Sequence, residues 1–122
     1  MRKRFHVAVL LLTIAGLTSC ASDEPSGDAP FEVPGEPVRA NKVDLPKSYK
    51  FSPAVIEIDS GATVTWTNND NFPHNVHLLD GSDQTVDLGI GETGSITFEE
   101  PATIFYECSI HPQQMRGKIV VT

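Results

Sequence analysis

From Ala62 to Thr67 the chain alternates: Ala62, Val64 and Trp66 fall on one side, Thr63, Thr65 and Thr67 on the other. A period of two marks a half-buried strand, because successive side chains of an extended backbone point to opposite faces. The same alternation returns in Ser95-Ile96-Thr97-Phe98 and in Thr103-Ile104-Phe105-Tyr106-Glu107. Val55 to Ile58 forms a further short strand, closed by the turn pair Ser60-Gly61. Asn75 to Leu79 is another, broken by Asp80-Gly81, and the last runs from Gly117 to Thr122. Asn68 to Asn71 reads as a polar loop. Nine Gly and nine Pro argue against long helices, and no helical period stands out. Short strands separated by turn signals predict an all-β sandwich or barrel. Trp66, Phe98 and Phe105 are its expected core.

The pattern fails before residue 41. Ala21 to Ala40 is acidic, carries Pro25, Pro30, Pro34 and Pro37, and shows no period. Such a composition predicts an extended, disordered tether. Ahead of it, Arg2-Lys3-Arg4 precedes an apolar stretch from Val7 to Leu17, too short for a span that needs about 20 residues. Leu17-Thr18-Ser19-Cys20 follows and resembles the bacterial lipobox, in which the Cys is acylated and becomes the first residue. The expected organisation is a signal peptide over 1–19, a lipidated linker over 20–40 and a folded domain over 41–122. The protein is then exported and held at the membrane through lipid alone, in the periplasm or at the cell surface.

Charge narrows the partners. The chain carries a net charge of −7, and a leader that removes three basic residues and no acid lowers it to −10. That balance excludes nucleic acid, whose affinity comes from Lys and Arg at phosphates. It suits a cationic protein partner and also serves solubility. With Cys20 acylated, Cys108 is the one remaining thiol. A metal ligand is a good reason for an exported chain to keep one.

Cys108 sits in Tyr106-Glu107-Cys108-Ser109-Ile110-His111-Pro112-Gln113-Gln114-Met115-Arg116-Gly117. A thiolate, an imidazole and a thioether lie close together at a strand-to-strand turn. Thiolate and imidazole suit copper, and a weak axial thioether completes a two-His, one-Cys, one-Met site. The second His has to come from elsewhere, and His74 in Asn69-Asp70-Asn71-Phe72-Pro73-His74-Asn75-Val76 is the best candidate. His77, three residues on, belongs to the opposite face of an extended strand and is expected to be structural or exposed. Zinc could also take two His and one Cys, without visible colour.

These segments resemble the plastocyanin and amicyanin branch of the cupredoxins. The resemblance is carried by Phe72-Pro73-His74-Asn75-Val76, by Tyr106-x-Cys108-x-x-His111-Pro112 and by Met115-Arg116-Gly117-Lys118. It implies a Greek-key β-sandwich and one copper ion shuttling between Cu(I) and Cu(II). It also implies a trigonal plane of His74, Cys108 and His111 with Met115 axial. Asn75 would tie the two ligand loops together through Ser109, and Phe72, Pro73 and Pro112 would form an apolar docking patch around His111. Two departures from the pattern stand out. Three residues separate His111 from Met115, where amicyanin-like loops have two and plastocyanin-like loops four, so Gln113 or Gln114 is an alternative axial donor. Ile110 stands where those families have Pro, restoring a backbone N–H that could reach the Cys108 sulfur.

Catalysis is not expected. Enzymes with cupredoxin domains need further copper centres, and the flanks of Cys108 here are Glu107 and Ser109. Beyond the leader only His74, His77 and His111 remain. The expected function is electron transfer by a monomer, with transient redox protein donors and acceptors. Copper storage or delivery is the alternative, although such proteins favour several Met ligands and this chain has two Met, one of them the initiator.

Overall fold

A computed structural model describes residues 29–122. The leader, Cys20 and the first part of the expected linker lie outside them. Nine strands occur among the described residues. They are β1 (Val38–Arg39), β2 (Lys42–Leu45), β3 (Val55–Ile58), β4 (Ala62–Asn68) and β5 (His74–Leu78), then β6 (Thr85–Leu88), β7 (Thr93–Phe98), β8 (Ala102–Glu107) and β9 (Arg116–Val121). They form two sheets, one in the order β1-β3-β9-β8-β5-β6 and the other β2-β4-β7. The all-β sandwich is as expected.

Alternation decides what each strand buries. Val64 and Trp66 of β4, Ile96 and Phe98 of β7, Ile104 and Tyr106 of β8, and Ile119 and Val121 of β9 join one core between the sheets. A fully buried side chain such as Ile119 contributes about 1.5–3 kcal/mol of hydrophobic stabilisation. On the opposite face of β4 and β7 the hydroxyls pair across the strands, Thr63 with Thr97 at 2.7 Å and Thr65 with Ser95 at 2.8 Å. Gly117 lies flush against the ring of its register partner Tyr106, where an added Cβ would come within 2.1 Å of a ring carbon.

Three expectations need correction, and the first two are linked. Phe105 is not core. Ile104 and Tyr106 take the inward positions of β8, so parity turns Phe105 outward. The linker does not run free to residue 40 either. Val33 is 7% exposed, the Phe31 ring stands edge-on to Phe105 at 5.6 Å, and the Arg116 guanidinium lies 4.5 Å over Phe31. β1 then pairs in parallel with β3. The folded unit thus begins near Phe31, because its apolar side chains cover an outward face that strands far along the chain create. The loop expected from Asn68 is also shorter: Asn68 ends β4, fully buried. β1, β2 and β6 escaped the pattern analysis because they are short and lack a run of apolar residues.

Antiparallel pairing of β5 with β8, and of β8 with β9, gathers three chain ends at one pole. There β5 begins at His74, β8 runs into Cys108, and β9 begins just after Met115.

Candidate metal centre

His74 opens β5 and is 2% exposed. The turn before it is built around Asn68, whose Nδ2 donates to the carbonyls of Phe72 at 2.8 Å and Leu88 at 3.0 Å. The Asn68 side-chain oxygen accepts from the Asp70 N–H at 2.9 Å. This brings the Asp70 carboxylate, itself 4% exposed, to 2.8 Å from His74 Nε2. The bond to His74 holds the Asp70 carboxyl below the ordinary carboxylate range, outweighing the opposing effect of burial. An ionised carboxylate only accepts, so Nε2 donates in this pair and Nδ1 is the ring nitrogen left for another partner. That Nδ1 is 3.8 Å from the sulfur of Cys108.

Cys108 is fully buried and unpaired among the described residues. Its sulfur accepts from the backbone N–H of Asn75 at 3.4 Å. The chain from Cys108 to Met115 closes on itself. Cys108 N–H donates to the Met115 carbonyl at 3.0 Å, and His111 N–H to the Cys108 carbonyl at 3.1 Å. Met115 N–H returns to the His111 carbonyl at 3.0 Å. Cys and Met thus stand at the feet of a small arch, with His111 at its turn. Two hydrogen bonds join this arch to β5: Asn75 Nδ2 donates to Ser109 Oγ at 2.6 Å, and Ser109 N–H to Asn75 Oδ1 at 2.8 Å. The expected tie between the two ligand loops is therefore present.

One ligand atom each of His74, Cys108 and His111 lies within 4.8 Å of the others. Nδ1 of half-buried His111 is buried and has no hydrogen-bond partner. A buried ring nitrogen without a partner is costly unless something binds it. A soft sulfur and two imidazole nitrogens converging on one point fit copper. Met115, 0% exposed, belongs to the same arch, whereas Gln113 and Gln114 are exposed.

Ile110 does not do what its position suggested. No hydrogen bond joins its N–H to the sulfur among the described residues; the donor is Asn75, and the Ile110 side chain is 53% exposed. The arch turns Ile110 out beside Pro112, also exposed, while Phe72 and Pro73 are exposed on the neighbouring loop. His77 faces the other side of β5, as expected, where its ring meets Asp83 and Glu107.

Two residues at this pole were missed by the sequence reading. Asp70 carried a usable signal, an acid four positions before the candidate ligand. Tyr49 carried none, since it is far away in the chain. Its ring stands 4.8 Å from that of His111 and 5.8 Å from that of His74, both edge-on, and stacks on Phe72 at 5.7 Å.

The family model for copper binding proteins, plastocyanin/azurin family, matches residues 39–122. Amicyanin-alpha of Methylorubrum extorquens is 38% identical over 90 residues, covering 70% of this chain and 74% of that protein. Amicyanin of Paracoccus denitrificans is 32% identical, with 97% of this chain and 94% of that protein covered. Among solved structures, a reduced amicyanin variant superposes with a TM-score of 0.61 at 33% identity, covering 75% of this chain and 97% of that one. A purple cupredoxin from Nitrosopumilus maritimus gives 0.60 at 31% identity, covering 68% and 100%. A match that starts at β1 and runs to the last residue, with the His, Cys and His already gathered at one pole, leaves one conclusion: the chain belongs to the plastocyanin/azurin family of copper-binding proteins.

Proposed function

We propose that the protein carries single electrons between redox proteins at the outer face of a bacterial cytoplasmic membrane or in the periplasm. His74 Nδ1, Cys108 Sγ and His111 Nδ1 would hold the copper, and the Met115 thioether would be the weaker fourth donor. Membership of the family is that of a copper electron carrier and not of an enzyme. When bound, copper supplies the Cu(I)/Cu(II) couple. The observation that carries the reading is the convergence of the three donors on one point. Burial of Met115, with Gln113 and Gln114 exposed, favours the thioether as the fourth ligand.

The protein's own residues do the rest. Asp70 holds the His74 ring by one nitrogen, and the Asn75–Ser109 pair ties the arch to β5. Partners of this kind fix the orientation of the side chains that would hold the metal. His111 lies at the turn of the arch, beside exposed Phe72, Pro73, Ile110 and Pro112. Such an apolar rim suits brief docking of a partner, with the electron entering and leaving through the His111 ring. Acylation of Cys20 anchors a protein that acts as a monomer, and the acidic segment after it serves as the tether.

Copper-loaded protein should show an intense visible thiolate-to-copper band that ascorbate bleaches and air or ferricyanide restores. A protein that holds only Cu(I), colourless and unresponsive to oxidant, would be a store or delivery protein instead. Anchoring is tested separately: full-length protein from a bacterium should partition into detergent with acyl mass on Cys20, and Cys20→Ala should not.

A further inference from the structure

Tyr49 departs from ordinary backbone geometry. Its φ is +51°, in the left-handed region that a bulky side chain seldom occupies without being forced to. The loop that carries it is pinned at its base. Asp44 and Ser52 exchange two backbone hydrogen bonds, of 2.8 and 2.9 Å, and Phe51 next to them is 2% exposed against Tyr106. The Asp44 carboxylate also accepts from the side chain of Asn69, beside the Asp70 that holds His74. Between these anchors the backbone turns back so that the Tyr49 ring faces both candidate ligand rings. It stands at 67° to His111 and 85° to His74, at the separations typical of edge-to-face aromatic pairs. Its other neighbour is half-exposed Phe72, at 26°.

His111 needs such a neighbour. Asp70 restrains His74 through Nε2, whereas none of the hydrogen bonds among the described residues is made by a ring nitrogen of His111. We propose that Tyr49 is a positioning residue: its ring clamps the His111 imidazole from the outside and closes the solvent side of the ligand cluster to small molecules. The left-handed backbone at residue 49 is the strain that aims it. The inference rests on the copper-site reading, so its test has one arm that needs no metal.

The variants are Tyr49→Gly and Tyr49→Asn, both able to adopt the left-handed backbone, and Tyr49→Phe, which keeps the ring. In metal-free protein, NMR relaxation of the His111 ring should show a fixed ring in wild type and Tyr49→Phe. In Tyr49→Gly and Tyr49→Asn the ring should be mobile, while the thermal transition stays cooperative. In Cu(II)-loaded protein, azide followed by the visible spectrum should bind at least tenfold more tightly to Tyr49→Gly and Tyr49→Asn than to wild type or Tyr49→Phe. Should one of the two ring-deleting variants fail to fold, the other decides the outcome. A His111 ring that stays fixed in both, with unchanged azide affinity, overturns the proposal. So does loss of the clamp in Tyr49→Phe, which would place the role in the hydroxyl. Failure of wild type to take up copper would sink the electron-carrier reading and leave the metal-free arm standing.

Discussion

β5 presents a histidine on each of its faces. His74 and His77 are alike in one respect: each sets Nε2 against an aspartate, Asp70 in one case and Asp83 in the other. They differ in what the second nitrogen meets. Nδ1 of His74 looks across to the Cys108 sulfur at 3.8 Å, and Nδ1 of His77 to the Glu107 carboxylate at 3.7 Å. Cys108 and Glu107 are neighbours in sequence, so one step along β8 separates the candidate ligand cluster from a half-buried His77–Glu107 contact. Burial follows the same parity. The His74–Asp70 side chains are 0% and 4% exposed, the His77–Asp83 side chains 21% and 87%. A histidine with a carboxylate partner is therefore not yet a metal site; the pleat decides which company it keeps.

Breaking the inner face should have the largest effect. Cys108→Ser should abolish the visible band of the copper-loaded protein, whereas His77→Asn should leave it unchanged; absorption spectra of the two variants decide this. Next comes the pair of aspartates. Asp70→Asn should weaken copper binding about 10–100-fold, the usual cost of removing a partner that orients a metal-bound His. Asp83→Asn should leave the affinity as it is, and competition against a chelator compares them. Equal losses in both would erase the distinction between the faces.

Asn75 sharpens the comparison, because its position shares the parity of His77 and yet it serves the ligand arch. Removing its two side-chain bonds to Ser109 with Asn75→Ala should cost about 1–2 kcal/mol of stability in urea unfolding of the metal-free protein. The smallest effect belongs to His77 itself. Its pKa is raised, mainly by the hydrogen bond to Asp83 and against the effect of burial. A raised folded-state pKa adds stability in full below the ordinary histidine value of about 6.5, and that stability is lost as pH rises through the raised value. Because Asp83 is exposed, the gain is about 0.5 kcal/mol at most. Urea unfolding of wild type and His77→Asn should differ by that amount on the acid side and converge at alkaline pH.

Much of this molecule was written locally. Alternation around Val64 and Trp66, Ile96 and Phe98, and Ile119 and Val121 announces strands because the two-residue period belongs to the extended backbone itself. The Cys108–His111–Met115 spacing announces a soft metal site because those side chains differ chemically from their neighbours wherever the chain goes. His74 came from the same chemical reasoning, with family resemblance in support, and the structure gathers it with Cys108 and His111. Other features depend on which strands become neighbours. Phe105 looked like core until Ile104 and Tyr106 took the inward parity, and Phe31 looked like tether until β8 and β9 built a surface for it. Ile110 had an N–H at a suggestive place, but the sulfur at the foot of the arch accepts the backbone amide of Asn75, from β5, instead. Asp70 and Tyr49 reach the ligand rings only after the loops at one pole have closed. A sequence records which groups a chain owns and how they repeat; which of them share a contact a few ångströms wide is decided by strand pairing and loop closure between residues far apart in the chain.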